Sequence, residues 1–69
     1  MKINETLKDA LTLKYQGDIA TAKANIQVYL TNPVGIGEHP DLIAAIDSEM
    51  DKAAEAWDKL TFLENQLDW

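Results

Sequence analysis

The ionisable side chains best placed for chemistry are Glu38, His39 and Asp41, which fall within four residues of one another. Carboxylates bind hard cations and imidazole suits transition metals, so this cluster suggests a metal site or an acid–base pair. Pro40 stiffens the segment, however, and so short a stretch cannot easily converge on one ion. We therefore expect no metal, with His39 or Asp41 capping the helix that follows and Glu38 in water.

A glycine pair, Gly35 and Gly37, precedes the same helix, and phosphate-binding loops use glycines at helix starts. No strand is predicted before the pair, no third glycine follows it, and no lysine lies in the loop. A tight turn explains both glycines better than phosphate binding does. With one histidine and no cysteine, we find no Ser–His–Asp or Cys–His set. We expect a protein that is not an enzyme and has no cofactor.

The loop that carries these residues separates two helices. Pro33 cannot continue a helix, whereas Pro40 suits the first helical position. The sequence predicts one domain, residues 1–69, with helix one at about 4–31, a loop at 32–39 and helix two at about 40–67. Each helix would be about 40 Å long at 1.5 Å per residue, and equal lengths suit an antiparallel all-α hairpin. Pro33, Gly35, Gly37 and Pro40 are the residues expected to shape the loop.

Helix two carries apolar residues in alternating steps of three and four, which is the pattern of a helix facing a partner helix. This seam comprises Ile43, Ile46, Met50, Ala53, Trp57, Leu60 and Leu67. If it faced helix one, then Leu42, Ala56 and Leu63 beside it would point outward. Because one hairpin cannot cover so broad a stripe, we expect two hairpins to form a four-helix bundle. The predicted self-association interface is Ile43, Ile46, Met50, Trp57 and Leu60.

Helix one leaves two alternatives open at Gly17. From Leu7 through Leu11 and Tyr15 to Ile19 the apolar step is four each time, an irregularity called a stutter. Either one helix runs through the glycine at a cost of about 1 kcal/mol, with a possible bend, or two short helices turn there. The segment around Gly17-Asp18 resembles a single tetratricopeptide repeat, but such repeats need neighbours. The matched helix lengths favour the continuous helix.

Composition limits the choice of partners. The net charge is −6, there is no arginine, and nine acids accompany two lysines after Asn32. Nucleic-acid binding needs a basic face, as does binding to an anionic membrane, so we expect neither. No segment has the length and hydropathy of a signal peptide or a membrane span, which predicts a soluble intracellular protein. A chain of 69 residues without cysteine gains stability most simply by self-association.

Two aromatic residues near the end of helix two, Phe62 and Trp69, lie seven apart, on the side opposite the predicted seam. Trp69 could fold back onto the core. Alternatively, the pair could form an exposed aromatic patch of the kind enriched at protein interfaces. Phe62 and Trp69 are therefore the candidate residues for binding another protein.

The loop Asn32-Pro33-Val34-Gly35-Ile36-Gly37-Glu38-His39-Pro40-Asp41, with the preceding Ala24–Leu30, resembles small uncharacterised helical proteins of marine tailed bacteriophages, particularly cyanophage-type myoviruses. The resemblance extends from about Gly17 to Leu67 and implies a viral origin and a setting in the host cytoplasm or the virion. That family has no assigned activity. We expect a structural or interaction protein that binds itself and an unknown phage or host protein. The alternative is an acidic inhibitor that binds a basic surface of a host enzyme.

Overall fold

The long apolar repeats of this sequence fold into two helices joined as a hairpin. The computed structural model describes residues 2–31 and 39–68. Helix α1 comprises Ile3–Thr31 and helix α2 comprises His39–Gln66, with no strand in the described part of the chain. The two helices pack against each other, and Leu11 of α1 and Leu67, beyond the end of α2, line the same hollow. The predicted all-α antiparallel hairpin is confirmed.

Helix α1 runs through Gly17 without a break, so the alternative of two short helices is wrong. A glycine inside a helix costs roughly 1 kcal/mol, which is small beside the packing available to a helix of this length. An ion pair between Lys14 Nζ and Asp18 Oδ2, 2.8 Å long, spans the glycine on the helix surface. We therefore attribute the continuity of α1 at Gly17 to the Lys14–Asp18 ion pair and to the packing of α1 on α2.

Replacing Gly17 with alanine should raise the free energy of unfolding by about 0.5–1 kcal/mol. A Cβ atom built on Gly17 has nothing within 4 Å, so the methyl group meets no neighbour while the unfolded chain loses conformational freedom. Urea denaturation followed by circular dichroism measures the change. Ala24→Gly, at an exposed position one heptad further along α1, is the matched control and should lower stability by a similar amount.

Helix α2 begins at His39, one residue before the predicted start. His39 therefore lies inside the helix and not at its N-cap. Asp41 lies in the first turn, where its negative charge is favoured by the helix dipole. The loop residues Pro33, Gly35 and Gly37, like Glu38, lie outside the described residues.

The series of α2 residues that faces α1 is shifted by one residue from the predicted seam. Leu42, Ala56 and Leu63, expected to point outward, are half-buried or buried. With Ile46, Glu49, Ala53 and Leu60 they form the continuous steps of four and three that face α1. Ile43, Met50 and Trp57 are instead exposed. The sequence could not separate these two stripes, because both are apolar and they lie side by side on the helix.

On α1, the side that faces α2 contains the apolar residues from the regular part of the predicted pattern. Ala22 is buried, and Tyr15, Ile19, Ile26 and Tyr29 are half-buried. Near the beginning of the helix Leu7 is exposed, while Thr12 is half-buried. With half-buried Lys8 and Thr12 counted in place of Leu7 and Leu11, the inward residues from Lys8 to Tyr29 keep alternating steps of four and three, although Leu11 is half-buried as well. The stutter expected from the apolar residues alone is therefore not needed to describe the packing.

This hairpin has a small hydrophobic core. Among the described residues only Ala22, Ala56 and Leu63 are buried apolar residues, and no large side chain is fully buried. The Cα radius of gyration is 15.7 Å, against about 11 Å for a compact domain of this length. The dimensions of 50 × 20 × 12 Å describe a single layer of two helices with both broad sides uncovered.

Candidate interaction surfaces

One broad side of the hairpin carries a line of large apolar side chains. Ile43, Met50 and Trp57 are 64%, 53% and 63% exposed, and they follow one another at intervals of seven on α2. Seven residues are two helical turns, so the three side chains lie along one line parallel to the helix axis. We call this line the Trp57 stripe. Ile46 and Leu60, the other two residues of the predicted interface, are half-buried on the side facing α1.

The opposite broad side carries a polar groove of about 320 Å³ between the helices. Its lining includes Thr21 and Asn25 together with three lysines and three acids: Lys14, Asp18, Glu49, Lys52, Glu55 and Lys59. The acids and lysines form three ion pairs, each within one helix: Lys14–Asp18, Lys52–Glu49 and Lys59–Glu55. Because the charges balance, the groove attracts neither anions nor cations strongly. The Lys14–Asp18 and Lys59–Glu55 pairs lie at the surface, where water screens them, whereas Glu49 of the third pair is buried.

Tyr15 links the two helices at one end of this groove. The Nζ atoms of Lys14 and Lys59 each lie 5.9 Å from the centroid of its ring, within the range of a cation–π contact. The pKa of Lys59 is raised above its ordinary value, first because Glu55 accepts a hydrogen bond from its ammonium group and attracts its charge. Lys59 therefore stays protonated at neutral pH beside Tyr15. It lies at the surface, where its positive charge faces the ring of Tyr15.

Glu49 occupies an inward position in the middle of α2. It is 6% exposed, and its Oε2 atom is buried without a hydrogen-bond partner in the described structure. Its Oε1 atom accepts a hydrogen bond from Lys52 Nζ at 3.3 Å. A buried carboxylate with one unsatisfied oxygen costs free energy that an apolar residue at this position would not. Glu49 was not predicted to lie inward, although its place in the seven-residue series Leu42, Glu49, Ala56, Leu63 was a signal for it.

Phe62 lies on the groove side of the hairpin, away from the Trp57 stripe. It is 57% exposed and borders an apolar hollow of about 180 Å³. The hollow is lined by Leu11, Tyr15, Lys59, Phe62, Leu63 and Leu67, so α1 contributes to it as well. Trp69, the other candidate, lies outside the described residues. Phe62 therefore belongs to an open apolar hollow at the end of the hairpin where α2 ends.

Two features are absent from the described residues. Within residues 2–31 and 39–68, no three ionisable side chains are grouped so that they could hold a metal ion. In the same part of the chain, neither helix has the length and apolar character needed to cross a membrane. Three surfaces of the described residues have been identified above: the Trp57 stripe, the polar groove and the hollow beside Phe62.

Comparison of the chain with family models, curated proteins and solved structures found no match.

Proposed function

We propose that this chain is a non-catalytic interaction protein that self-associates through the Trp57 stripe. The observation that carries the proposal is the exposure of Ile43, Met50 and Trp57 along one line of α2. Single exposed apolar residues are common on protein surfaces, but a regular line of large ones that includes a tryptophan is typical of an interface. A second copy that covers this line would supply the interior that the single hairpin lacks.

The accessible surface area agrees with this proposal. The chain exposes 5335 Å², whereas a compact monomer of 7.7 kDa exposes about 4300 Å². The excess of roughly 1000 Å² is close to the area of about 800 Å² that each partner buries in a standard protein–protein interface. One dimer contact would therefore bring the exposed area per chain to that of an ordinary small protein.

Light scattering tests self-association. At micromolar concentration we expect a mass about twice that of the 7.7 kDa chain, or larger, with both helices intact by circular dichroism. A helical particle of single-chain mass throughout the concentration range would rule out the proposal.

The same proposal includes an external partner, which the hollow beside Phe62 would accommodate. This hollow opens on the groove side of the hairpin, whereas the Trp57 stripe lies on the other side, so self-association leaves the hollow open. The resemblance of residues 17–67 to marine bacteriophage proteins supports a phage origin, with action in the host cytoplasm or the virion. The partner would then be a phage or host protein that inserts an apolar side chain beside Phe62 and Tyr15.

Phe62→Ala should abolish capture of this partner from infected host cells while the dimer mass and helicity stay unchanged. The reason is that Phe62 is more than half exposed and contributes little to the hairpin itself. Thr61→Ala, at the neighbouring exposed position, is the matched control and should retain the partner. Equal capture by both variants would show that the hollow is not the binding site.

A second candidate function is inhibition of a basic surface on a host enzyme. Lys52 and Lys59 are paired with Glu49 and Glu55 on the groove side, which leaves the outer side of α2 to exposed acids such as Asp47, Asp51 and Asp58. A salt titration of any captured complex separates the two functions. Steep loss of affinity with salt supports charge mimicry, and affinity that is insensitive to salt supports the apolar hollow.

A further inference from the structure

We infer that the Trp57 stripe packs on the same stripe of a second copy, with the two α2 helices antiparallel and the two-fold axis crossing them between Met50 and Ala54. This inference rests on the proposed self-association. It adds the surface that receives the stripe and the register in which the two stripes meet.

The broad side that carries the Trp57 stripe is mostly polar on α1. Counting 100° per residue from inward-facing Tyr15 places four exposed polar residues on this side: Glu5, Asp9, Gln16 and Lys23. Leu30, near the end of the helix, is an exposed apolar residue there. Covering charged and amide side chains with an apolar surface removes their hydration at a cost in free energy. The surface that suits one stripe is therefore the stripe on α2 of another copy.

The stripe contains a space that can receive a large side chain. Residues i, i+3, i+4 and i+7 of a helix surround a hole that a side chain of a facing helix can enter. Between Met50 and Trp57 the two intervening members of this set are Ala53, which is half-buried, and Ala54, which is exposed. Because both are alanines, this hole is deep. Each copy thus carries both large apolar side chains and a space for one from its partner.

An antiparallel pairing brings the large side chains and the holes together. If Met50 of one copy enters the hole between Met50 and Trp57 of the other, two-fold symmetry makes the contact reciprocal. The same register places Trp57 in the next hole of the other copy, between Ile43 and Met50. A parallel pairing would instead set Trp57 beside Trp57 and alanine beside alanine, which gives layers of unequal volume. Even packing density therefore favours the antiparallel pairing.

The charge beside the stripe favours the same direction. Asp47 lies four residues after Ile43 and three before Met50, at the edge of the proposed contact. In a parallel pair the two copies of Asp47 would lie at the same height and repel each other. In the antiparallel register they lie roughly 14 Å apart along the helices, beyond the Debye length of about 8 Å at physiological salt. Antiparallel helices also place opposite ends of their dipoles side by side.

Distances between spin labels test the direction of the two helices. The chain has no cysteine, so Asp51→Cys near the proposed axis and Asn65→Cys near the end of α2, both at exposed positions, can each be labelled uniquely. Electron paramagnetic resonance should give a distance on the order of 10–25 Å at the first site and about 40 Å at the second. Short distances at both sites would overturn the inference and leave self-association standing. No dipolar coupling at either site, together with a single-chain mass, would reject self-association itself.

Exchanging a large and a small side chain tests the register. Ala54→Leu fills the proposed hole and should weaken dimerisation roughly tenfold, whereas adding Met50→Ala should recover much of the loss, because a small residue then again faces a large one. Ala44→Leu, at an exposed position of α2 away from the stripe, is the control and should leave the dimer constant unchanged. Sedimentation equilibrium measures the constants. An unchanged or tighter dimer in Ala54→Leu would overturn the inference, since a parallel pair would gain from filling the space between two alanines.

Discussion

Trp57→Ala should weaken dimerisation by roughly 3 kcal/mol, a loss of more than a hundredfold in the association constant. The indole ring is 63% exposed in the single hairpin but lies in the middle of the stripe that a second copy would cover. Removal of the ring should therefore change the stability of the single hairpin little, and most of the lost free energy should be that of the contact between chains. Sedimentation equilibrium over a range of concentrations measures the constant.

Phe62→Ala is the matched control for this experiment. Phe62 is similarly exposed, at 57%, and lies on the other broad side of the hairpin. Its removal should leave the dimer constant within a factor of about two, consistent with a surface change of less than about 0.5 kcal/mol. Equal weakening by the two variants would mean that self-association does not depend on the Trp57 stripe specifically.

Glu49→Leu should stabilise the protein by about 1–3 kcal/mol, because it replaces a buried, incompletely paired carboxylate with an apolar side chain of similar size. The change also places an apolar side chain between Leu42 and Ala56 in the inward series, where it can pack against α1. For a domain of this size the melting temperature should rise by about 4–8 °C per kcal/mol. Thermal unfolding followed by circular dichroism at a fixed protein concentration gives the result.

Glu55→Leu serves as the control for Glu49→Leu. It makes the same chemical change in the same groove, but Glu55 is exposed and paired only with Lys59 on the surface. No gain in stability is expected there. A loss of stability in Glu49→Leu would show that Glu49 makes a stabilising contact absent from the single hairpin, and its unsatisfied oxygen would not be the source of a free-energy cost.

The helices themselves could be predicted from sequence because their signals are local. Proline residues and apolar spacing placed both ends within one or two residues of the observed bounds, and the continuity of α1 through Gly17 followed from matching the lengths of the two helices. These features depend on backbone preferences and on periodicity, which one sequence records directly.

The orientation of α2 could not be predicted in the same way. Ile43 and Leu42 are neighbours, and both belong to series with a seven-residue repeat. Which series faces α1 depends on side-chain volumes in the shared interior, where the small residues Ala22 and Ala56 are buried. Because Glu49 belongs to the inward series, that series contains fewer apolar residues, and the sequence alone did not identify it as the side that faces α1. The apolar spacing placed Trp57 in the seam and Leu42 and Leu63 beside it, whereas the structure exposes Trp57 and buries Leu63, with Leu42 half-buried.

The fluorescence of Trp57 tests most directly whether the Trp57 stripe is the self-association surface. In a Trp69→Phe variant, Trp57 is the only tryptophan, and its emission reports its exposure to water. We expect the emission to shift to longer wavelength on dilution from micromolar to nanomolar concentration, in step with the fall in mass. A mass that halves on dilution while the Trp57 emission stays constant would contradict this role of the stripe, because association would then occur through another surface.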